Sequence, residues 1–309
     1  MKLFDAHTHL NIEEYDEAER LDRLRTIEES GYMGIVIDAG ASPANSVQAV
    51  RNSAERSWCY ASVGIHPHHA SEVTDADIEM VRRLAVCNRL AGTVSSQSVP
   101  DPYDADDPAR LGGKVVAIGE VGLDFHFEPY SEEDQIRIFR QQIRIANELR
   151  LPLMIHTRDA DRLTFDILNE EGAFSDERCS WFPQRPIQEV GSDEVTNGRD
   201  ARVQLHCYSG SAELAKEYLR LGASFSLGGP ITFKNSRKPV QVVQRIPLSC
   251  IMSETDAPYM APEPLRGRPN RTEYIIHMVR RMAVLKNAGF EETAAMLYEN
   301  GCRFFDINE

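Results

Sequence analysis

Short apolar runs ending in Gly, Pro, Asp or His recur eight times along this chain, and that rhythm constrains its fold more than any other feature. The runs fall at Lys2–His9, Gly34–Ala39, Tyr60–Ile65, Val115–Gly122, Pro152–His156, Val203–Cys207, Ser224–Leu227 and Cys250–Glu254. Each has the length of a β-strand. Segments of helical period lie between them. Glu132–Glu148 places Ile136, Ile138, Phe139, Ile143, Ile145 and Ala146 at helical spacing, and Ala212–Leu221 does the same with Leu214, Ala215, Tyr218 and Leu219. Strand followed by helix, eight times over, predicts an α/β fold of the (β/α)8 TIM-barrel type. An open doubly wound sheet of similar strand count is the alternative. The barrel is preferred because the ligand-type residues end strands far apart in sequence, and a ring brings those ends together. The 309 residues suit one such domain over 1–309, with Glu291–Phe304 as an amphipathic closing helix. Two polar stretches, 88–113 and 172–201, break the rhythm and are expected to be surface insertions.

The chemistry concentrates where the runs stop. In Asp5-Ala6-His7-Thr8-His9, side chains alternate along the strand, so Asp5, His7 and His9 share one face. Two imidazoles at that spacing can hold one metal ion; a pair of buried, hydrogen-bonded histidines is the plainer reading. Four other run ends carry Glu120, His156, His206 and Asp256. An ionisable group there is costly unless paired or metal-bound. All would open on the C-terminal mouth, where barrel enzymes keep their sites. Four histidines and two carboxylates suit Zn, Mn, Fe, Co or Ni better than Mg. Six ligands exceed what one open catalytic ion needs, so two divalent ions sharing a carboxylate are expected.

The net charge of −14 repels nucleic acid and anionic membrane on average, so an anionic substrate must be met by metal or by a local basic patch. Such a patch is available in Lys234, Arg237, Lys238, Arg266, Arg268 and Arg271, within the last two predicted mouth loops. A solvated surface is its plain alternative. The six cysteines, at 59, 87, 179, 207, 250 and 302, form no C-x-x-C pair. No secretory-type apolar stretch follows Met1, and no run is long enough to span a membrane. A cytoplasmic protein is the expectation.

Six motifs in order resemble the TatD family of metal-dependent deoxyribonucleases, within the amidohydrolase-like barrels. They are Phe-Asp-Ala-His-Thr-His-Leu (4–10), Gly-Ile-His-Pro-His (64–68), Gly-Glu-Val-Gly-Leu-Asp (119–124), Ile-His-Thr-Arg-Asp-Ala (155–160), His-Cys-Tyr-Ser-Gly (206–210) and Glu-Thr-Asp-Ala-Pro-Tyr (254–259). The resemblance implies that His7, His9, Glu120 and Asp256 hold one metal, and that Glu120, His156 and His206 hold the other. It implies an exonuclease-type deoxyribonuclease in which a metal-activated water attacks a phosphodiester. Catalytic roles then fall to Asp256, Glu120 and His66, with Asp256 orienting the water and taking its proton. His66, Arg158 and Lys234 are the expected substrate contacts, and DNA, single-stranded, or a small phosphodiester is the expected partner. Asp124 and Asp5 are candidates to orient ligands. Cys207 is expected in the core, with Tyr208 and Ser209 at the mouth. Where the family often has aromatics and then a basic residue after Asp124, this chain reads Phe125-His126-Phe127-Glu128-Pro129. That departure puts typical DNA handling in doubt and leaves the metal site untouched. Amide, ester or lactone hydrolysis on the same two-metal site is the first rival reading, and a non-catalytic metal-binding scaffold the second.

Overall fold

The computed structural model describes residues 1–93, 99–185 and 198–308, so 94–98 and 186–197 of the two expected insertions lie outside the described residues. Eight strands form one sheet in sequence order: β1 (Leu3–Thr8), β2 (Met33–Ala39), β3 (Cys59–Val63), β4 (Val115–Asp124), β5 (Leu153–Arg158), β6 (Val203–Leu205), β7 (Ser224–Leu227) and β8 (Ile251–Ser253). Every paired neighbour is parallel. The ring closes between β8 and β1: Ser253 Oγ donates to the Phe4 carbonyl, and Asp256 N–H to the His7 carbonyl. The helices are α1 (Glu17–Glu29), α2 (Pro43–Glu55), α3 (Asp75–Cys87), α4 (Glu132–Leu149), α5 (Asp161–Glu170), α6 (Asp176–Ser180), α7 (Ala212–Leu221), α8 (Lys238–Arg245), α9 (Ile275–Lys286) and α10 (Phe290–Phe305). This is the expected (β/α)8 barrel.

Local chemistry sets the helix starts. Ser42, Ser131 and Ser211 each accept a backbone N–H in the first turn of α2, α4 and α7, and Pro43 follows Ser42 where its missing N–H costs nothing. The apolar faces of these helices pack on the outer faces of the strands, as Ile138, Phe139 and Ile143 do against Val121 and Leu123. Inside the ring a second cluster fills the barrel with Ala6, Ile37, Ala117, Met154 and Met252. At its N-terminal end α10 closes the barrel, with Phe305 stacked on Phe4 at 5.9 Å between ring centres.

Strand lengths depart from expectation at the mouth. β4 and β5 run on together, Gly122 opposite His156 and Asp124 opposite Arg158. Gly122 permits this: its φ is +150°, and a Cβ there would lie 1.9 Å from the His156 carbonyl oxygen. β6 and β8 stop early because Cys207 (φ 42°) and Asp256 (φ 55°) turn into the left-handed region. The described part of 172–201 is also more than surface. Arg178 and Arg185 are buried beneath the barrel, and Arg178 donates to the carbonyls of Ala201 and Leu151 and to Asn147 Oδ1. Asp200, also buried, faces Arg185 and Arg202 and pairs with Arg303. A segment that reads as polar thus ties down strand starts whose carbonyls would otherwise be unpaired. No helix among the described residues is long and apolar enough to cross a membrane.

Candidate metal centre

The C-terminal ends of β1, β4 and β5, with the turns after β6 and β8, bring His7, His9, Glu120, His156, His206 and Asp256 into one pit. The open pocket over it has a volume of about 870 Å³ and is lined also by His66, Arg158, Cys207, Tyr208, Ser209 and Tyr259. Glu120 is the hub. Its Oε1 lies 2.9 Å from His156 Nδ1 and 2.8 Å from His206 Nε2. Its Oε2 lies 3.4 Å from His7 Nε2 and 3.6 Å from His9 Nε2. Asp256 Oδ1 completes the second group, 3.7 Å from His7 Nε2 and 3.5 Å from His9 Nε2. One carboxylate therefore divides between two clusters: His7, His9 and Asp256 on one side, His156 and His206 on the other.

The outward nitrogen of each imidazole decides what its inward nitrogen can do. His9 Nδ1 lies 2.9 Å from the Ala39 carbonyl, which can only accept, so the ring's lone pair is on Nε2 and faces the site. His156 Nε2 lies 2.9 Å from Asp124 Oδ2, which leaves the Nδ1 lone pair pointing inward. His7 Nδ1 meets the Met154 sulfur at 2.8 Å, a weak acceptor with the same consequence. His206 Nδ1 has no hydrogen-bond partner and faces Glu254 Oε2 at 3.6 Å. His66 is the opposite case. Its Nδ1 accepts the His68 backbone N–H at 3.2 Å, so the neutral ring carries its proton on Nε2 and presents it to Glu120 Oε1 at 3.5 Å. Three histidines thus turn a lone pair inward, His206 faces the Glu254 carboxylate with its outward nitrogen, and His66 alone presents a proton.

The inward nitrogens also crowd one another. His7 Nε2 lies 3.1 Å from His9 Nε2, and His156 Nδ1 lies 3.2 Å from His206 Nε2. Buried lone pairs aimed at each other are costly unless a cation or proton lies between them. The donor set, soft imidazole plus carboxylate, fits borderline divalent metals. These residues fit a divalent-metal centre.

Charge in the pit follows from the packing. Burial would raise Glu120, but His206, His66 and His7 with the His156 hydrogen bond outweigh it and hold the carboxyl well below its usual range. Asp256 is likewise lowered: burial opposes, and the His9 hydrogen bond and the surrounding imidazoles prevail. Burial lowers His66 well below an ordinary imidazole, against a weaker pull from Glu120, so the ring is neutral. Burial works against the charge on His9 too, yet Asp256 and Glu120 raise it to about 8.

Other expected residues fall in different places. Arg158 lines the pocket over the Phe127 ring, 4.6 Å from its centre, and makes no ion pair among the described residues. Asp159, next to it in the chain, binds His126. Asp124 orients His156 and also lies 3.2 Å from His68 Nε2. Asp5 touches no histidine ring. It accepts the Thr255 N–H at 2.9 Å and the Thr255 hydroxyl at 2.5 Å, fixing the turn that carries Asp256. Lys234 is absent from the pocket and lies in a neighbouring groove. Cys207 is half-buried at the pocket wall rather than in the core, and burial among carboxylates pushes its thiol well up, so it offers no thiolate.

The residue that sequence reasoning passed over is Glu254. It is fully buried, accepts the Cys207 N–H at 2.6 Å on Oε1 and the Ser226 hydroxyl at 2.5 Å on Oε2, and faces His206. The signal was present: an acid directly after the strand-forming run Cys250-Ile251-Met252-Ser253, two positions before Asp256.

Comparison with known proteins agrees with this geometry. The chain is 33% identical to YabD, a metal-dependent hydrolase of Bacillus subtilis (strain 168), over 99% of its own length and 100% of that protein's. It is 35% identical to the metal-dependent hydrolase YcfH of Escherichia coli (strain K12), over 67% of this chain and 70% of YcfH. The crystal structure of YJJV, a TatD homolog from Escherichia coli k12, superposes with a TM-score of 0.76 at 22% identity, covering 99% of this chain and 98% of the other. The family model for TatD related DNase matches residues 4–306, and the chain belongs to the TatD family of metal-dependent hydrolases.

Proposed function

We propose that this protein hydrolyses phosphodiester bonds, acting as a deoxyribonuclease on single-stranded DNA ends. The observation that carries the reading is the presence, in the lining of the pit, of an inward His66 Nε2–H and an Arg158 that no carboxylate among the described residues neutralises. A phosphodiester stays anionic at neutral pH and needs such donors beyond the metals; a lactone or amide does not. The family's own description as a DNase points the same way.

Two divalent ions held by the six ligands would supply Lewis acidity and lower the pKa of a water towards ~7. The protein's part is as follows. Glu120 spans the two ligand clusters and fixes their spacing. Asp256, kept ionised by the surrounding imidazoles, orients the attacking water and takes its proton. His66 donates from Nε2 to the phosphoryl or leaving oxygen as charge builds there. Arg158 binds a non-bridging oxygen, its guanidinium held over the Phe127 ring. Ligands at the bottom of a pit, with Phe127 and Tyr259 about half exposed at its rim, suit a strand end whose bases stack on aromatic rings better than a duplex.

The test is turnover of the metal-reconstituted protein on end-labelled single-stranded DNA with resolved products, beside a panel of lactones and amides. Stepwise shortening of the DNA is expected, lost in Glu120→Gln and Asp256→Asn. Turnover of a lactone or amide with none on any phosphodiester would overturn the proposal, as would wild-type activity in either variant.

A further inference from the structure

Behind one wall of the metal pit lies a second groove, of about 480 Å³, between the segment after β7 and helix α9. We infer that this groove binds the backbone of a single-stranded nucleic acid whose end is in the metal pit. The inference rests on the phosphodiesterase reading above.

The wall between the two cavities is thin. Pro230 and Ile231 line the pit, while Thr232, Phe233 and Lys234 line the groove. Gly229 holds this segment against the chain after β8, since a Cβ there would lie 1.8 Å from the Met260 carbonyl oxygen. Thr232 Oγ1 accepts the Glu263 N–H at 2.9 Å and closes the same seam. From the groove side, Arg281 Nε donates to the Ile231 carbonyl at 3.2 Å, so a guanidinium in one cavity is one residue away from the lining of the other.

The groove is also the wrong sign for its protein. On a chain of net charge −14, it gathers Lys234, Arg280 and Arg281 against a single carboxylate, Glu263. Arg266 adds a further cation over the Phe233 ring, 4.0 Å from its centre. None of these four basic side chains makes an ion pair among the described residues. Their neighbours Arg245 and Arg271 are tied to Glu213 and to Asp22 and Glu273. Uncompensated cations grouped on an acidic surface are a footprint for a polyanion.

The test uses the metal-loaded full chain and the double variant Arg266→Gln/Arg280→Gln, two exposed side chains outside the metal pit. Binding of a fluorescent oligothymidylate with hydrolysis-resistant phosphorothioate linkages is read by anisotropy at several salt concentrations. Turnover of bis(4-nitrophenyl) phosphate, too small to reach the groove, is read in parallel. The expected result is unchanged small-diester turnover, at least tenfold weaker strand binding, and a log–log salt slope smaller by about 1.4, for two lost single-strand phosphate contacts. Strand affinity and slope equal to wild type would overturn the inference and leave the phosphodiesterase reading intact. Tighter binding of a duplex than of the single strand would overturn it as well. Absence of small-diester turnover in the wild type, with strand binding still lost in the variant, would instead remove the phosphodiesterase reading and leave the groove standing.

Discussion

Glu254→Gln tests the arrangement of the ligand histidines at its least obvious point. The two carboxylate oxygens serve different partners: Oε1 takes the Cys207 N–H, and Oε2 takes the Ser226 hydroxyl and faces His206 Nδ1. An amide cannot do both. With its oxygen on Cys207, its NH2 faces His206 Nδ1, favours a lone pair there, and moves the imidazole proton to Nε2. That is the atom 2.8 Å from Glu120, where a lone pair is needed for metal. With the amide reversed, its NH2 meets the Cys207 N–H and one buried donor is left unpaired, a cost of about 1–3 kcal/mol in stability. Loss of a residue that orients a ligand histidine typically weakens metal binding about 10- to 100-fold, or about 1.4–2.8 kcal/mol. The assay is competition for Zn(II) or Mn(II) against a chelating dye, with activity followed as metal is raised. Glu254→Gln should bind one metal equivalent that much more weakly and recover turnover at higher metal concentration. Wild-type affinity for both equivalents, in a variant of wild-type fold, would refute the argument that Glu254 sets the His206 tautomer.

His66→Ala should lower kcat by about 10²- to 10⁴-fold while leaving metal affinity unchanged, because its outward nitrogen is committed as an acceptor; a matching drop in metal content would make it a ligand instead. Metal loading should weaken as pH falls below about 8. In the metal-free protein His9 is raised to that value and His156 is raised as well, so each proton displaced on loading lowers apparent affinity by about tenfold per pH unit, checked by dye competition between pH 6 and 9. Arg178→Met should cost about 2–4 kcal/mol in a urea titration, since it strands the Ala201 and Leu151 carbonyls under the barrel, with little change in metal affinity.

The barrel and the six side chains that meet in its pit were legible because both depend on rules that act within a few residues. Short apolar runs marked the strands, and each run that ended on His, Glu or Asp announced a group too costly to bury without a partner. What could not be read depends on distance across the ring. Asp5 shares a strand face with His7 and His9, which made it a candidate to orient them, yet β8 comes alongside β1 and Asp5 is taken up by Thr255. Glu254 belongs to a matched motif, but its task lies with Cys207, Ser226 and His206, which sit beside it only once β6, β7 and β8 are neighbours. Lys234 was correctly placed after β7, but the chain reverses around Gly229 and carries it over the wall into the next groove. The direction of a tautomer is the limiting case. His66 and His156 both follow apolar runs, but His66 is held by the N–H of His68 two residues on, whereas the partner of His156 is Asp124 on the neighbouring strand. A backbone N–H on one ring and a carboxylate on the other leave the first with a proton facing the pit and the second with a lone pair facing it. In this fold the residue type selects what a position could do, and the partner of its outward nitrogen selects which of those things it does.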